Sequence, residues 1–287
     1  MRYEKYLLMA LAASKIAGNA ILDVYEQKID VEYKKDQSPL TLADKRSHEI
    51  ITKILTARAE NPLPVLSEEG KNIAYEERKK WEYFWLTDPL DGTKEFIKRN
   101  GEFTVNIAII HKNAPVLGVI YVPVKDVCYF AAEGLGSYKL DNCEVLDRLS
   151  EKAISENAGL MDEIISHSVI LPTDRIAGSP FTIVGSRSHS TNAVEDFVAD
   201  MKTRHEAVEF ISAGSSLKLC LVAEGKADVY PRLAPTMEWD TAAGQVIVEQ
   251  SGGNVLNAET NKPLQYNKEN LLNPWFIVNR RNHKIEN

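Results

Sequence analysis

Four separate stretches of this sequence carry acidic residues that helix or strand formation does not require. They are Asp44, the pair Glu68 and Glu69, the pair Asp88 and Asp91, and Asp240. Each stretch also has a purely structural explanation. An acid in the first turn of a helix interacts favourably with the helix dipole, which suits Asp44 and Asp240. A solvated turn would explain the others, because Asp-Pro and Glu-Glu-Gly both favour turns.

The string DPLDGT (88–93) has the composition of a cation site. Pro89 removes a backbone donor and bends the chain. Asp88, Asp91 and the carbonyl of Leu90 can then direct their oxygen atoms into one space, and oxygen is the ligand atom that magnesium prefers. Two neighbouring carboxylates repel each other, so a shared metal ion would explain their spacing.

The end of the same string has the composition of an anion site. Gly92 lets the backbone approach a ligand closely, and the amides of Gly92 and Thr93 open a short predicted helix, TKEFI. A helix start with free amides binds anions. Cation ligands beside anion-binding amides are typical of metal-assisted transfer of a phosphoryl group to water.

Within the first 140 residues, the two long predicted helices come before residue 60 and the predicted strands come after it. Apolar residues at helical spacing predict helices at about 4–28 and 41–60, separated by a polar loop that contains proline. The predicted strands are 64–67, 83–88, 103–110, 115–124 and 127–133. Strands clustered after helices predict an α+β lobe over residues 1–140, with a mostly antiparallel sheet.

The rest of the chain has a different pattern. Residues 141–180 are polar and rich in turn formers, which indicates a linker or an elaborated surface segment. From 181 to 287 strands alternate with helices, which predicts an α/β lobe. Asp240 opens the last long helix of this lobe, so we expect the second lobe to contribute it to the site.

Composition excludes several classes of protein. The 287 residues are 44% hydrophobic and 26% charged, and the net charge is −7, which argues against a general nucleic-acid or anionic-membrane surface. No apolar run approaches the roughly 18 residues of a transmembrane span. Three cysteines without a CxxC pattern indicate a reduced, cytoplasmic protein. We therefore expect a small-molecule ligand, and the oligomeric state stays open.

Three motifs together resemble a known family. They are SEE at 67–69, DPLDGT at 88–93 and WDTAAG at 239–244. In this order they resemble the lithium-sensitive, magnesium-dependent phosphatases of the inositol monophosphatase superfamily. The resemblance covers most of the chain and implies a layered αβαβα sandwich of two lobes, which combines α+β and α/β organisation.

The resemblance implies two magnesium ions, with a third that binds more loosely. Glu68, Asp88 and the carbonyl of Leu90 would hold the first ion. Asp88, Asp91 and Asp240 would hold the second, so that Asp88 bridges the pair. Glu68, through water, would contact the third.

The resemblance also implies catalytic roles. Thr93, Glu68 and Asp44 would orient and deprotonate the attacking water, and Gly92 and Thr93 would contact the phosphate. Glu69 would lie outside the metal site, although the sequence leaves open an exchange of roles between Glu68 and Glu69.

Within the superfamily, the chain resembles the CysQ-type 3′(2′),5′-bisphosphate nucleotidases, through GSRSH (185–189), GSSLK (214–218) and YPR (230–232). Their substrate carries two phosphates, and the one away from the metal ions needs its own donors and cations. The candidates are Ser188, His189, Ser215, Lys218 and Arg232. The structural alternative is that a serine of GSSLK caps a helix, Lys218 points to solvent and His189 is a surface residue.

The resemblance implies hydrolysis of adenosine 3′,5′-bisphosphate to AMP and phosphate, with the phosphosulfate analogue as a further substrate, in the clearance of a by-product of sulfur assimilation. An inositol monophosphatase or a sugar phosphatase is the first alternative. A nucleotide- or metal-binding protein without turnover is the second, but the complete set of acids and Thr93 argues against it. Some relatives associate with the cytoplasmic face of the inner membrane, and the sequence shows no anchor for this.

Overall fold

The computed structural model of the chain describes residues 3–27, 31–33, 39–57, 62–150, 153–154, 159–173, 178–186 and 191–280. The helices are α1 (Glu4–Tyr25), α2 (Leu42–Thr56), α3 (Tyr75–Arg78), α4 (Thr93–Ile97), α5 (Leu160–Ser166), α6 (Asn192–Arg204), α7 (Leu217–Ala223) and α8 (Glu238–Gln250). The strands are β1 (Val31–Tyr33), β2 (Pro39–Thr41), β3 (Val65–Ser67), β4 (Tyr83–Asp91), β5 (Thr104–His111), β6 (Ala114–Val122), β7 (Val127–Ala132), β8 (Gly136–Asp141), β9 (Val169–Ile170), β10 (Phe181–Gly185), β11 (Val208–Ser212), β12 (Val229–Arg232), β13 (Asn254–Asn257) and β14 (Phe276–Asn279).

A seven-stranded sheet, in the order β3-β4-β5-β6-β7-β8-β9, forms one of two main sheets. Its β3–β4 pair is parallel and its other pairs are antiparallel. Alternate residues of its strands face opposite cores. Val105 and Ile109 pack in the core that contains α1 and α2, whereas Ala108 and Ile110 pack in the core that contains α7 and α8. Both faces are therefore buried, which explains why these strands are almost continuously apolar.

The second main sheet has five strands in the order β11-β10-β12-β14-β13, with parallel and antiparallel pairs. One face packs against α7 and α8 through residues such as Val184 and Phe276. The other face packs against α6, where Ile183 meets Met201. The layers are thus α1 and α2, the first sheet, α7 and α8, the second sheet, and α6. The predicted αβαβα sandwich is confirmed.

Helix α8 lies directly on the first sheet, and a glycine makes this possible. A Cβ atom on Gly118 of β6 would lie 2.4 Å from the carbonyl oxygen of Ala243 in α8. Any larger residue would push the helix away from the sheet. This close approach sets the distance between the first turn of α8, which carries Asp240, and the strand end that carries Asp88 and Asp91.

Helix α1 is the one helix in the described part of the chain that is long and apolar enough to cross a membrane, with a mean hydropathy of 1.5. In the fold, 67% of the 18-residue apolar window of this helix is buried. Its buried face includes Leu7, Leu11 and Ile21, which pack against the first sheet. Burial of this kind is typical of a core helix.

The segment 141–180 contains more regular structure than its composition suggests. After β8, the chain forms a 3₁₀ helix (Cys143–Arg148), helix α5 and strand β9. Strand β9 pairs with β8 at the edge of the first sheet. The lobe boundaries at 140 and 180 stay a prediction.

Candidate active site

The three aspartates from distant motifs lie together. One carboxylate oxygen from each of Asp88, Asp91 and Asp240 lies within 4.8 Å of the other two. Asp88 and Asp91 stand at the end of β4, where the register with β5 shifts between them. This irregularity follows from Pro89, because a proline cannot donate a ladder hydrogen bond. Asp240 comes from the first turn of α8.

Burial and mutual repulsion raise the pKa values of two of these carboxyl groups, Asp88 and Asp240. Asp88 is buried, and its pKa is raised well above the usual value by burial first and then by the charges of Glu68, Asp91 and Asp240. The pKa of Asp240 is raised to about 8, by burial and by the charge of Asp91, although the Met237 amide acts in the opposite direction. Carboxylates in this state need a cation to be ionised at neutral pH. The donor set is all oxygen, which fits a hard divalent cation.

Glu68, the other predicted metal ligand with a side-chain carboxylate, lies beside the cluster. Besides its effect on Asp88, its charge raises the pKa values of Asp44 and Asp240. Glu69 is half-buried, like Glu68, so burial alone does not distinguish the two glutamates.

The turn between Asp88 and Thr93 is held by local hydrogen bonds. The amide of Leu90 donates to Asp88 Oδ1 at 3.0 Å, and Ser47 of α2 donates from its hydroxyl to the carbonyl of Pro89 at 2.6 Å. Gly92 has φ +92°, the left-handed conformation that glycine adopts without strain, and it precedes α4. The Thr93 hydroxyl lies 3.5 Å from the carbonyl oxygen of Leu90, so the predicted backbone ligand faces the same space as Thr93.

Asp44 acts both as a helix cap and as a partner of Thr93. Its Oδ2 accepts hydrogen bonds from the amide and the hydroxyl of Thr41, at 2.7 and 2.6 Å, which caps α2. Its Oδ1 accepts a 3.3 Å hydrogen bond from the Thr93 hydroxyl. The helix-cap explanation is therefore confirmed, and the catalytic role of Asp44 stays a prediction. Burial raises the pKa of Asp44, against the lowering effect of the Thr41 bonds.

Three of the predicted substrate residues, Ser215, Lys218 and Arg232, line the same pocket as Asp91 and Asp240. Lys218 is buried and donates to the carbonyl oxygens of Ala213 and Ser215, so the alternative in which it points to solvent is wrong. Burial lowers its pKa to about 8, although the charge of Asp91 raises it.

Two of these residues carry polar atoms without a protein partner. The buried hydroxyl of Ser215 and the buried Nε of Arg232 have no hydrogen-bond partner in the described part of the chain. Ser215 also has a left-handed backbone, with φ 44°. Unpaired buried polar atoms are uncommon because they cost free energy, and a ligand commonly satisfies them.

Comparison with known proteins assigns the family. The family model described as the inositol monophosphatase family matches residues 2–285. The chain belongs to the inositol monophosphatase family. Members of this family are metal-dependent, and the Asp88, Asp91 and Asp240 cluster is suited to bind a metal ion.

Individual relatives extend the likeness over nearly the whole chain. The chain is 43% identical over 265 residues to the 3′(2′),5′-bisphosphate nucleotidase CysQ of Salmonella typhimurium, which covers 91% of this chain and 94% of the relative. The crystal structure of CysQ from Bacteroides thetaiotaomicron matches with a TM-score of 0.86 and 50% identity, over 98% of this chain and 99% of that one. An inositol monophosphatase from Anabaena matches with a TM-score of 0.67 at 22% identity, over 98% of this chain and 92% of that one, and shares the fold.

Two predicted substrate residues, Ser188 and His189, lie outside the described residues. Ser186, the residue that follows β10, is a lining residue of the pocket. The roles of Ser188 and His189 stay a prediction.

Sequence reasoning missed two polar residues beside the cluster. The hydroxyl of Ser216 lies 2.7 Å from Asp91 Oδ2, and the amide nitrogen of Asn106 lies 3.3 Å from the same oxygen. A signal was present for Asn106: it stands two positions after Thr104 in the otherwise apolar strand FTVNIAII, so two polar residues share one face of a buried strand. Ser216 was considered only as a helix cap, and its side chain caps no helix.

Proposed function

We propose that this protein is a magnesium-dependent phosphatase that converts adenosine 3′,5′-bisphosphate to AMP and phosphate. One observation carries the proposal: the clustered carboxylates of Asp91 and Asp240 share a pocket with the cations of Lys218 and Arg232. A pocket with a cation site at one end and fixed positive charges beside it suits a substrate with two phosphates. The similarity to bisphosphate nucleotidases over nearly the whole chain supports the same activity.

We assign the metal ligands as follows. Glu68, Asp88 and the carbonyl of Leu90 would hold one magnesium ion, and Asp88, Asp91 and Asp240 would hold a second. Glu68 would contribute, through water, to a third and more loosely bound ion. When bound, magnesium supplies the positive charge that offsets the carboxylates and the phosphate, and it makes water a better nucleophile at neutral pH. Lithium competition at one of these positions is expected from the family resemblance.

The attacking water is oriented by the chain's own groups. Thr93 donates its hydroxyl hydrogen to Asp44 Oδ1 at 3.3 Å, which leaves the lone pairs of the Thr93 oxygen to accept a hydrogen bond from the attacking water. The raised pKa of Asp44 makes it a stronger base than an exposed aspartate. We assign Glu68 and Asp44 to accept the proton of this water, which attacks phosphorus in line. The P–O bond to the 3′-oxygen breaks without a covalent enzyme intermediate, and the leaving oxygen takes up a proton. The amides of Gly92 and Thr93 hold the phosphate at the start of α4.

The second phosphate is assigned to the basic side of the pocket. Lys218 and Arg232 supply charge, and the unpartnered hydroxyl of Ser215 supplies a donor. The phosphosulfate analogue carries the same 3′-phosphate ester, so we include it as a further substrate. Ser188 and His189 extend this set in the proposal. The reduced cysteines Cys128, Cys143 and Cys220 are free and buried, which fits activity in the cytoplasm.

Phosphate release tests the proposal. Wild-type protein should release phosphate from adenosine 3′,5′-bisphosphate with magnesium, and EDTA should abolish the release. Asp91→Asn removes one carboxylate of the cluster and should lower kcat by at least about 100-fold, because charge stabilisation at a metal site is lost. The matched control is Asp23→Asn, an exposed aspartate of α1, which should retain full turnover.

A side-by-side assay with an inositol monophosphate separates the proposal from the related alternative. Faster turnover of the inositol ester than of the nucleotide would assign the protein to the inositol phosphatases. Phosphate release that persists in EDTA, or normal turnover by Asp91→Asn, would contradict the metal-dependent mechanism.

A further inference from the structure

Two buried polar side chains contact one oxygen of Asp91. Ser216 donates its hydroxyl to Asp91 Oδ2 at 2.7 Å, and Asn106 donates from Nδ2 to the same oxygen at 3.3 Å. Asn106 Nδ2 also donates to Ser216 Oγ at 2.9 Å. Ser216 is 2% exposed and Asn106 is 1% exposed, so water does not compete for these bonds. Asp91 Oδ2, Ser216 Oγ and Asn106 Nδ2 are therefore joined pairwise by hydrogen bonds.

The sheet fixes the orientation of Asn106. The Thr104 hydroxyl donates to Asn106 Oδ1 at 2.9 Å, which turns the amide NH₂ group toward Asp91. Thr104 and Asn106 of β5 pair across the strand with Asp91 and Asp88 of β4, respectively. The pairing of β4 with β5 on either side of the register shift therefore fixes the positions of Thr104 and Asn106.

Ser216 also contacts the backbone of the third aspartate. Its oxygen lies 2.7 Å from the carbonyl oxygen of Asp240 as well as 2.7 Å from Asp91 Oδ2. A hydroxyl has a single proton, so it can donate to only one of these acceptors at a time. A carboxylate is the stronger acceptor, so the proton belongs to Asp91 when that group is ionised.

This arrangement determines which oxygen of Asp91 is available for a cation. With donors from Ser216 and Asn106, Oδ2 has both of its lone pairs engaged, and Oδ1 is left for the metal. Ser216 also spans the gap between the end of β4 and the first turn of α8, which are the two elements that must stay at a fixed distance.

We propose that Asn106 and Ser216 are positioning residues that hold the carboxylate of Asp91 in the orientation needed for metal binding. The inference rests on the proposed function for the assignment of Asp91 as a metal ligand. Residues that hydrogen-bond a metal ligand typically change metal affinity or activity by about 10- to 100-fold when they are removed. Ser216 lines the pocket, but its hydroxyl is bonded to Asp91, so we expect the effect of both residues to be on the metal requirement.

Three single variants of the full-length protein test the proposal. Ser216→Ala removes one hydroxyl, and Asn106→Val removes the amide while keeping a side chain that suits a strand. Ser251→Ala is the matched control, because Ser251 is also buried and its hydroxyl donates to a backbone carbonyl, of Val248, at the other end of α8.

Two measurements are made on each protein. The first is the magnesium concentration for half-maximal phosphate release at saturating adenosine bisphosphate. The second is the rise in unfolding temperature on adding magnesium without substrate, which reports metal binding directly. For Ser216→Ala and Asn106→Val we expect the half-maximal concentration to rise at least about tenfold and the metal-induced rise to shrink, while Ser251→Ala behaves as wild type.

A double variant tests whether the two residues act as one unit. Asn106 acts partly through Ser216, so the double variant should be less impaired than the product of the two single effects predicts. Wild-type metal affinity in Ser216→Ala would overturn the proposal, and so would equal losses in Ser216→Ala and Ser251→Ala. If Asn106→Val does not fold, Ser216→Ala decides alone.

The two proposals fail in different ways. A wild-type protein that binds magnesium but releases no phosphate from adenosine bisphosphate would contradict the proposed function. The magnesium-induced rise in unfolding temperature would still test the positioning role of Asn106 and Ser216, because it depends on metal binding and needs no substrate.

Discussion

Replacing Asp240 by Asn is expected to stabilise the metal-free protein while abolishing its activity. Burial and the charge of Asp91 raise the pKa of Asp240 from 3.8 to about 8. The folded state therefore holds this proton more tightly than the unfolded chain does. As pH rises from about 4 toward 8, the unfolded chain releases the proton first, and the wild-type protein loses stability over that range. Asparagine removes this loss because it does not titrate.

The size of the effect follows from the shift in pKa. Each unit of pKa difference corresponds to about 1.4 kcal/mol. Before any screening, the loss of folding stability accumulated by the wild-type protein is about 4 kcal/mol at pH 7 and about 2 kcal/mol at pH 5. Asp240 is half-buried, and solvent screens part of this interaction, so we expect a gain of about 2–4 kcal/mol at pH 7. The hydrogen bond from the Met237 amide, 2.9 Å long, can be kept by the asparagine oxygen.

Denaturant unfolding of both proteins in EDTA at pH 5, 7 and 8 measures the gain. Adding magnesium should then narrow the difference in stability between the two proteins. At a magnesium concentration 100 times its Kd, the wild-type protein gains about 3 kcal/mol, whereas the variant has lost one of the metal-binding carboxylates. Asp126→Asn is a control of opposite sign. Burial raises the pKa of Asp126, but hydrogen bonds from Lys15 and Tyr121 outweigh it and lower the pKa, so this variant should lose stability at pH 7 and lose less at acid pH. A pH-independent difference between Asp240→Asn and wild type would refute the reasoning.

Three further predictions concern the pocket and the core. Lys218→Met should raise KM for adenosine bisphosphate about 10- to 100-fold, because a charge-assisted hydrogen bond is lost. In the wild-type protein kcat/KM should decline above pH 8, where Lys218, with its pKa of about 8, loses its charge, and the variant should lack this decline. An unchanged KM would contradict the role of Lys218. Thr93→Val should lower kcat by about 100-fold or more in steady-state assays while the magnesium requirement stays constant, and a shifted magnesium requirement would indicate a metal-binding role instead. Glu249→Gln should stabilise the protein by about 1–3 kcal/mol at pH 8 and have little effect at pH 4, because burial raises the pKa of Glu249 to about 7. The side-chain amide of Gln245 can still donate to the oxygen of the new glutamine. Equal denaturation midpoints of wild type and variant at pH 8 would therefore show that the ionised Glu249 does not destabilise the fold.

Much of the fold was predictable because its elements have clear periodicity. The predicted strand 103–110 corresponds to Thr104–His111, and the alternating pattern after residue 181 corresponds to the strands and helices from Phe181 to Gln250. Helix ends were less accurate: the second helix ends at Thr56 rather than near residue 60, because Ala57 already has an extended backbone, with φ −65° and ψ 132°. Element boundaries are the least reliable part of a prediction from sequence.

Strands near the end of the chain were not predicted. Strand β14 lies between β12 and β13 in the second sheet, so its partners come from earlier parts of the chain. Strand β13 pairs only with β14 among the described strands, and each has four residues. Short strands carry little periodic signal, and they form because a sheet edge is available.

The chemistry of the site was readable from residue types, whereas its convergence was not. The motif DPLDGT by itself determines where carboxylate and carbonyl oxygens are concentrated, since proline and glycine constrain the backbone locally. Only tertiary packing brings Asp240 to that motif, through a helix laid directly on Gly118. The same packing buries Lys218 and joins Ser216 to Asp91, because these contacts depend on the distance between layers and sequence periodicity describes each layer separately.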